Sequence, residues 1–510
     1  ITSQIFDNGN ILDSYLFFNK NFFDKYHIGT LILVFFSIYI LKNIFLIFSN
    51  FGKYTFIKLI NDQITADLLK RYLKKNYSFF SSKTSSEIIR NLTGVEIIGS
   101  IIDMSLHTIT EIILLIGILT LLFIIEPIST LVVFSLLLFI GLIFFYFSKT
   151  KMKKWGEDRQ DTSKIRIGYL QDLFVSIKEI ILRKNNSKFL DSFNSKNRMY
   201  TSATKNFEIY QSLPRIVLEL VIIIVLGIFL FLLSSNEFKS YEIIPLISVF
   251  IVAGIRLMPS MSRLLASLQY LSHHGVFLSI IKKELNHSHH YPVKSNKKII
   301  FNNKLEVKRI CFRYNKKEII KNLSFNIKKN DFVGIVGDSG VGKSTLVNLI
   351  SGLIKPDKGK IFCDGFDINQ NINNWHLQIG YISQNSVLID DTIASNIAFG
   401  VNDEDLDINK ILKICELLNI NFIKNKNNLF RKSGERGSKL SGGQSQKILI
   451  ARALYFNPDV LILDESTSAL DVKSENEILK LLKKLNNSKT IILISHRKNS
   501  LKYCNNIIQL

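Results

Sequence analysis

A glycine-rich stretch that ends in a lysine and a hydroxyl residue is the part of this chain best suited to bind phosphate. It follows the apolar run "DFVGIV" and precedes the apolar helical pattern "STLVNLISGL". Glycines at this spacing let backbone N–H groups turn toward a β-phosphate, and the helix N-terminus adds its dipole. We predict that Lys343 reaches the β- and γ-phosphates of a nucleotide, whereas Ser344 holds Mg²⁺. The predicted nucleotide-binding residues here are Gly337, Asp338, Ser339, Gly340, Val341, Gly342, Lys343, Ser344 and Thr345.

Two adjacent carboxylates follow a second apolar strand further along the chain. In "DVLILDEST", the predicted strand Val460–Leu463 delivers Asp464 to its end, where a carboxylate can hold the metal ion. Glu465 can then orient or deprotonate an attacking water. An acidic strand end with no chemical role is the alternative. The phosphate-binding loop earlier in the chain favours nucleotide hydrolysis.

The elements that must position these residues divide the chain in two. Its 510 residues are too many for one core, so at least two domains are expected. Apolar runs of about 20 residues, the length that spans a bilayer, occur only before position 265. The predicted organisation is a transmembrane domain at 1–281, a linker at 282–300 and an α/β nucleotide-binding domain at 301–510. The predicted spans lie near 28–50, 103–125, 128–148, 214–234 and 242–262.

The charges of the loops predict the orientation. Segments 51–100 and 149–211 are rich in Lys and Arg, whereas the short turns between the other spans carry almost none. Because cytoplasmic loops carry the positive excess, both segments and the soluble domain are predicted to be cytoplasmic, at a bacterial inner membrane. Residue 1 then falls outside. With five spans and no initiator Met, we expect a preceding sixth span and a chain cut at both ends.

The net charge of +23 and the four cysteines have ordinary explanations. Lys and Arg concentrate beside the predicted spans, so we expect a membrane partner and no nucleic acid. The cysteines all lie in the soluble half without a CxxC pair, as expected of thiols in a reducing cytosol. His287, His289 and His290 cluster in the polar linker, where solvated side chains are commoner than a metal site.

The segment "LSGGQSQKILIARAL" resembles the signature sequence of ABC-type ATPases. Other motifs of that family follow in the same order. Tyr314 resembles its adenine-stacking aromatic, Gln384 its Q-loop glutamine and Asp471 its D-loop aspartate. His496 resembles the histidine that senses the γ-phosphate. In the family, the signature residues complete the ATP site of the opposite subunit; here they are Leu440, Ser441, Gly442, Gly443 and Gln444.

The resemblance implies an exporter half-transporter: an α-helical transmembrane domain, with five spans visible of an expected six, followed by an α/β ATPase domain. It implies a homodimer with ATP and Mg²⁺ as cofactors. Glu465, His496 and Gln384 would be catalytic, whereas Ser344, Gln384 and Asp464 would hold Mg²⁺. Short turns near 86–93 and 177–184 would transmit movement between the domains.

Cationic residues inside the apolar runs predict an anionic substrate. Arg256 and Arg263 lie seven residues apart, so they share a helix face about 10 Å apart. Lys42 lies inside the first run and Arg215 opens the fourth. Cations at such depths usually face a cavity and mark a substrate path, although snorkelling to headgroups is the alternative. A cavity with several cations suits a phosphate or diphosphate headgroup.

The segments "LPRIVLEL" and "RLMPSMSRL" resemble bacterial flippases for lipid-linked oligosaccharides, the PglK type. That resemblance implies a polyisoprenyl-diphosphate-linked glycan as substrate, held by Lys42, Arg215, Arg256 and Arg263. Lys42 departs from the arginine of that group, so it keeps the charge but loses the bidentate fork. The alternatives are an ABC exporter of peptide, lipid or drug, and a nucleotide-gated channel or sensor.

Overall fold

The structure is a computed structural model that describes residues 28–125, 127–234, 240–286, 299–314, 317–423, 425–466, 470–495 and 497–510. The described residues form two compact units that divide near residue 288. Most of the predicted linker, with its three histidines, lies outside the described residues, as does His496.

The first unit is entirely helical where it is described. Four of its helices have 46 to 49 residues, so each is roughly 70 Å long and extends far beyond the apolar part of a bilayer. The helices are α1 (Ile28–Leu73), α2 (Tyr77–Ser82), α3 (Ser85–Thr93), α4 (Glu96–Ile125), α5 (Pro127–Val175), α6 (Ile177–Arg183), α7 (Asn186–Ser234) and α8 (Ser240–Asn286).

Three stretches of the described residues are long and apolar enough to cross a membrane. They are Ile32–Leu73, Ser85–Ile124 and Leu257–Asn286, which overlap the first, second and fifth predicted spans. The predicted spans at 128–148 and 214–234 lie within α5 and α7 and stay predictions. Large apolar side chains along the first half of α1 are exposed, as expected of a helix whose surroundings are lipid.

Two short helices occur where the short turns were predicted. Helix α3 covers 85–93 and helix α6 covers 177–183, each next to long helices. Helix α6 ends because Lys184 adopts a left-handed backbone with φ 52°. Ion pairs hold α3 in place: Lys164 of α5 lies 2.7 Å from Glu87, and Lys83 contacts both Glu87 and Glu284 of α8. The transmission role of these helices stays a prediction.

The second unit contains two sheets. An antiparallel sheet has the order β2-β1-β4-β5, and a parallel sheet has the order β6-β7-β8-β3-β9. The strands are β1 (Lys304–Tyr314), β2 (Lys317–Lys328), β3 (Phe332–Val336), β4 (Lys358–Cys363), β5 (Phe366–Asp367), β6 (Ile379–Ile382), β7 (Val460–Asp464), β8 (Thr490–Ile494) and β9 (Asn506–Gln509).

Helices cover the parallel sheet, whose strands β7 and β8 are buried at every residue. Such continuous apolar strands are typical of parallel sheets with both faces covered. The α-helices of this unit are α9 (Lys343–Ile350), α10 (Ile372–His376), α11 (Ile393–Ile397), α12 (Ile408–Leu417), α13 (Lys426–Leu429), α14 (Gly442–Leu454), α15 (Val472–Leu485) and α16 (Lys498–Leu501).

The parallel sheet decides where the predicted site residues lie. Strands β6, β7, β8 and β3 run parallel, so their carboxyl ends meet at one edge. The phosphate-binding loop follows β3, and Gln384 follows β6. Asp464 is the last residue of β7, and Glu465 comes directly after it. Ligands of α/β sheets bind at this edge, so the topology brings residues far apart in sequence into one site.

Candidate functional site

The loop between β3 and α9 has the conformation that a phosphate cradle needs. Gly340 has φ +80° and Gly342 has φ +112°, backbone angles that residues with a Cβ rarely adopt. A Cβ on Gly342 would also lie only 2.6 Å from Cγ2 of Ile319 in the neighbouring hairpin. Glycine is therefore required here by both backbone angle and space.

Lys343 lies buried at the start of α9, with 5% of the residue exposed. Its Nζ donates hydrogen bonds of 2.9 Å to the carbonyl oxygens of Gly337 and Asp338. The ammonium group is thus held over the loop, where its charge adds to the dipole of the helix N-terminus. This arrangement favours binding of a dense negative charge such as a polyphosphate.

Ser344 and Asp464 come together as predicted, although they are far apart in sequence. Ser344 Oγ donates to Asp464 Oδ1 over 3.3 Å, and the Tyr381 hydroxyl donates to Asp464 Oδ2 over 3.3 Å. Burial raises the pKa of the Asp464 carboxyl above its ordinary value. Hydroxyl and carboxylate oxygens are hard ligands of the kind that Mg²⁺ prefers, so this pair would fit that ion.

Glu465 follows Asp464 in a left-handed backbone conformation with φ 47°, and its N–H donates to the Ile494 carbonyl oxygen over 3.2 Å. The turn directs the two adjacent carboxylates to different partners. Gln384 Nε2 donates to Glu465 Oε2 over 3.0 Å, so the predicted base and the predicted Q-loop glutamine are in contact. A carboxylate held in this way can orient a water and accept its proton.

Tyr314 ends β1 at the hairpin that carries Ile319. It pairs with Lys317 across the hairpin, its ring packs edge-to-face on Phe312 at 4.9 Å, and 44% of the residue is exposed. The hairpin contacts the phosphate-binding loop through Ile319 and Gly342. An exposed aromatic ring on the hairpin that contacts this loop can stack on a nucleotide base.

The signature segment begins α14 with a reciprocal hydrogen-bonded cap. Ser441 Oγ accepts from the Gln444 N–H, and the Gln444 side chain accepts from the Ser441 N–H over 3.0 Å. The first two residues of the helix are Gly442 and Gly443, so no side chain covers the backbone at this helix N-terminus. Asp471 caps α15, because its carboxylate accepts from the Ser474 N–H over 3.1 Å. Hydrogen bonds from the side chain and then the backbone of Ser474 lower the pKa of Asp471.

The predicted headgroup cations lie on three helices: Lys42 on α1, Arg215 on α7, and Arg256 and Arg263 on α8. Lys42 Nζ lies 4.7 Å from the Tyr39 ring of its own helix. Arg215 is exposed. Glu219 follows four residues later on the same helix, and no ion pair between the two is present in the described part of the chain. The Arg256 side chain lies outside the described residues, although its backbone is part of α8. Their common role stays a prediction.

Arg263 has a partner that the sequence analysis missed. Its Nε and Nη2 donate to the two carboxylate oxygens of Glu111 over 2.5 and 3.2 Å. Glu111 lies in the second predicted span, with 7% of the residue exposed. A signal was present in the sequence: Asp103, His107 and Glu111 recur at four-residue spacing and so share one face of an apolar helix.

Comparison with known proteins identifies the family of both units. A family model described as "ABC transporter" matches residues 320–468, and a model described as "ABC transporter transmembrane region" matches residues 3–254. Together these matches cover more than three quarters of the chain.

Curated relatives match this chain over about two fifths of its length. A "Putative export ATP-binding/permease protein" of Rickettsia typhi is 42% identical over 40% of this chain and 36% of its own length. An "ATP-dependent lipid A-core flippase" of Vibrio parahaemolyticus is 40% identical over 40% of this chain and 36% of its own. The "Alpha-hemolysin translocation ATP-binding protein HlyB" of Proteus vulgaris is 39% identical over 41% and 30%. The chain thus matches about a third of these relatives' length.

A solved structure shows the same fold over most of the chain. The structure titled "Structure of a bacterial Atm1-family ABC exporter with ATP bound" aligns with a TM-score of 0.74 over 89% of this chain and 80% of its own, at 21% identity. The predicted fold class, a helical transmembrane domain followed by an α/β ATPase domain, is confirmed. The chain belongs to the ABC transporter family, with a transmembrane region followed by the ABC transporter ATPase domain.

Proposed function

We propose that this protein is an ATP-driven transporter of the bacterial inner membrane that moves a lipid with an anionic headgroup from one leaflet to the other. The best candidate is a polyisoprenyl-diphosphate-linked oligosaccharide. The observation that carries the ATPase part is the single edge of the sheet at which Lys343, Ser344, Asp464 and Glu465 meet.

The chemistry at this edge follows from the contacts of these residues. Lys343 exchanges its bonds to the loop carbonyls for bonds to the β- and γ-phosphates, which it holds in place. Ser344 and Asp464 would hold Mg²⁺, which would supply positive charge to neutralise the phosphates. Glu465 orients the attacking water and accepts its proton, while the amide of Gln384 fixes the carboxylate. His496 is proposed to contact the γ-phosphate.

A second subunit completes the proposed site. Ser441, Gly442 and Gly443 lie at a helix N-terminus that is separate from the phosphate-binding loop in sequence, so they are free to face the ATP of a partner chain. One chain carries one ATPase domain, and a closed pair of identical chains satisfies both halves of each site. We therefore propose a homodimer with two equivalent sites.

Support for an anionic lipid comes from the cations on the membrane helices, and support for a lipid substrate comes from the relative named as an ATP-dependent lipid A-core flippase. The toxin-translocation relative favours a second candidate, export of a peptide or protein. The channel or sensor alternative is disfavoured, because a pure gate does not need Glu465 and Gln384 held in contact.

Stimulation of ATP hydrolysis separates these candidates. The protein is reconstituted in phosphatidylcholine vesicles, and its ATPase rate is measured with a polyprenyl-diphosphate glycan, with lipid A, and with an unfolded peptide. We expect the diphosphate lipid to raise the rate most. Stimulation by the peptide alone would replace the lipid proposal with protein export, and ion current without ATP turnover would support the channel.

A further inference from the structure

The Glu111–Arg263 pair joins α4 to α8 within the helical unit. Glu111 presents both carboxylate oxygens to the Nε and Nη2 edge of Arg263, and Ser260 Oγ lies 3.2 Å from Nη2. The two partners differ in exposure: 9% of the Glu111 side chain is exposed, against 56% of the Arg263 side chain. The Glu111 end of the pair is therefore buried, which we call the closed end, and the Arg263 end is exposed, which we call the open end.

The closed end lies against an apolar wall. Leu115, one turn beyond Glu111 on α4, packs in a buried cluster with Leu257, Met261 and Leu265 of α8. A carboxylate in such surroundings is costly without a cation, so its pairing with Arg263 is strongly favoured. The other acid of this helix face, Asp103, is also paired, with Lys53 of α1 at 2.8 Å.

The open end leaves donors of Arg263 accessible. A guanidinium group has five N–H donors, and Glu111 and Ser260 engage only its Nε and Nη2 atoms. In the described part of the chain no hydrogen bond from Nη1 of Arg263 is present. An anion can therefore approach Arg263 from the exposed side, but it meets a guanidinium group whose charge is already balanced by Glu111.

We propose that Glu111 is a specificity-determining residue that competes with the substrate headgroup for Arg263. This inference rests on the proposed transport of an anionic lipid. Glu111 carries one negative charge and two acceptor oxygens already in position, so a headgroup with only one phosphate gains little by displacing it or binding beside it. A diphosphate has more charge and more acceptor oxygens, and it binds the arginine in spite of the carboxylate.

The test is the discrimination between two lipids with the same tail. ATPase stimulation is measured in phosphatidylcholine vesicles with polyprenyl diphosphate and with polyprenyl monophosphate, for the wild type and for Glu111→Gln. Glutamine keeps the shape and one acceptor oxygen but removes the charge. The half-stimulating concentration of the monophosphate is expected to fall about tenfold, and that of the diphosphate about threefold or less, in keeping with the loss of one competing charge.

Two further variants make the result specific. Glu96→Gln removes an exposed carboxylate at the start of the same helix. It should leave the half-stimulating concentrations of both lipids unchanged. The double variant Glu111→Gln/Arg263→Gln removes both charges of the pair and so leaves no unpaired charge buried. It replaces the single variant in the assay if that variant does not fold. It should weaken stimulation by the diphosphate about tenfold, the typical loss for one charge-assisted contact.

The outcomes separate this inference from the proposed function. In one outcome, a folded Glu111→Gln protein keeps the wild-type ratio between the half-stimulating concentrations of the monophosphate and the diphosphate. That result, or the same ratio in the double variant, would show that the pair only holds the two helices together. In that case transport of an anionic lipid still stands. If neither lipid stimulates the wild type, the proposed substrate class is wrong and this inference fails with it.

Discussion

At the residue scale, the site residues serve the fold and the proposed chemistry at the same time. Lys343 donates to two carbonyls of its own loop, and a phosphate within its reach would compete with those carbonyls. Glu465 combines a left-handed backbone with a hydrogen bond from Gln384. Strained backbone of this kind persists where the surrounding structure holds it, and it is enriched at functional sites.

The role of Glu465 as general base is tested by Glu465→Gln. The maximal rate of ATP hydrolysis is expected to fall at least about a hundredfold, because an amide cannot accept the proton of the attacking water. The Kd for ATP should change little, since the phosphates are held by the loop and Lys343. Single-turnover hydrolysis and nucleotide binding measure the two quantities. Glu416→Gln, an exposed change on α12, is the control; a hydrolytic rate equal to the wild type in Glu465→Gln would refute the role.

The burial of Asp464 makes a prediction about pH. Burial raises the pKa of this carboxyl, so its ionised form costs folding free energy at neutral pH. A raised pKa means that this cost is fully present above the folded-state pKa and disappears as pH falls below the unfolded-state value. Asp464→Asn should therefore have a higher Tm than the wild type at pH 7 in the absence of nucleotide and Mg²⁺. The difference should shrink toward pH 4, and a constant difference across this range would contradict the assignment.

Sequence reasoning worked best for residues that belong to contiguous motifs. Gly342, Lys343, Ser344 and Asp464 could be predicted because the strand-loop-helix pattern places them at the end of parallel strands. The pairing of Glu111 with Arg263 could not, because it depends on which faces of α4 and α8 pack together. Apolar helix patterns are nearly uniform around these helices, so they do not predict the facing residues.

At the element scale, helix caps position the signature segment. The reciprocal bonds between Ser441 and Gln444 start α14 at Gly442, and Asp471 starts α15. The Ser441 cap is readable in the sequence because this hydroxyl residue is followed three residues later by Gln444. Asp471 is readable only as a residue type that commonly caps a helix. Short turns near 86–93 and 177–184 are expected from the family resemblance, whereas the ion pair that joins α3 to α5 could be found only from the tertiary structure.

Two substitutions of Ser441 separate its capping role from its proposed contact with ATP. Ser441→Ala should lower the free energy of unfolding of the ATPase domain by about 1 kcal/mol, through loss of the cap. Ser441→Asp keeps a good cap and should retain wild-type stability, but its negative charge should abolish ATP hydrolysis. Thermal unfolding and ATPase assays measure the two effects. Full hydrolysis by Ser441→Asp would exclude this residue from the ATP site.

At the scale of the whole molecule, the proposed function requires two copies. The given sequence carries one phosphate-binding loop and one signature segment. Its helical unit exposes apolar side chains suited to a membrane. The domain order could be predicted from composition, because apolar runs of spanning length end well before the first β-strand. The number of spans depends on residues beyond those described.

Mixing two inactive variants tests the shared site. Lys343→Ala removes the phosphate lysine, and Ser441→Asp spoils the signature. If each site combines the loop of one chain with the signature of the other, a mixed dimer contains one intact site, and the mixture recovers about a quarter of wild-type activity. Each variant alone is the control. No recovery after verified subunit exchange would mean that each chain forms its own complete site.

ATP hydrolysis is proposed to move a lipid with an anionic headgroup between leaflets. The most direct measurement is transfer of a fluorescently labelled polyprenyl-diphosphate glycan in proteoliposomes, followed by the fraction of label protected from an impermeant quencher. We predict that this fraction changes with ATP, but not with a non-hydrolysable analogue and not with Glu465→Gln. Hydrolysis of ATP without any change of leaflet would contradict the account.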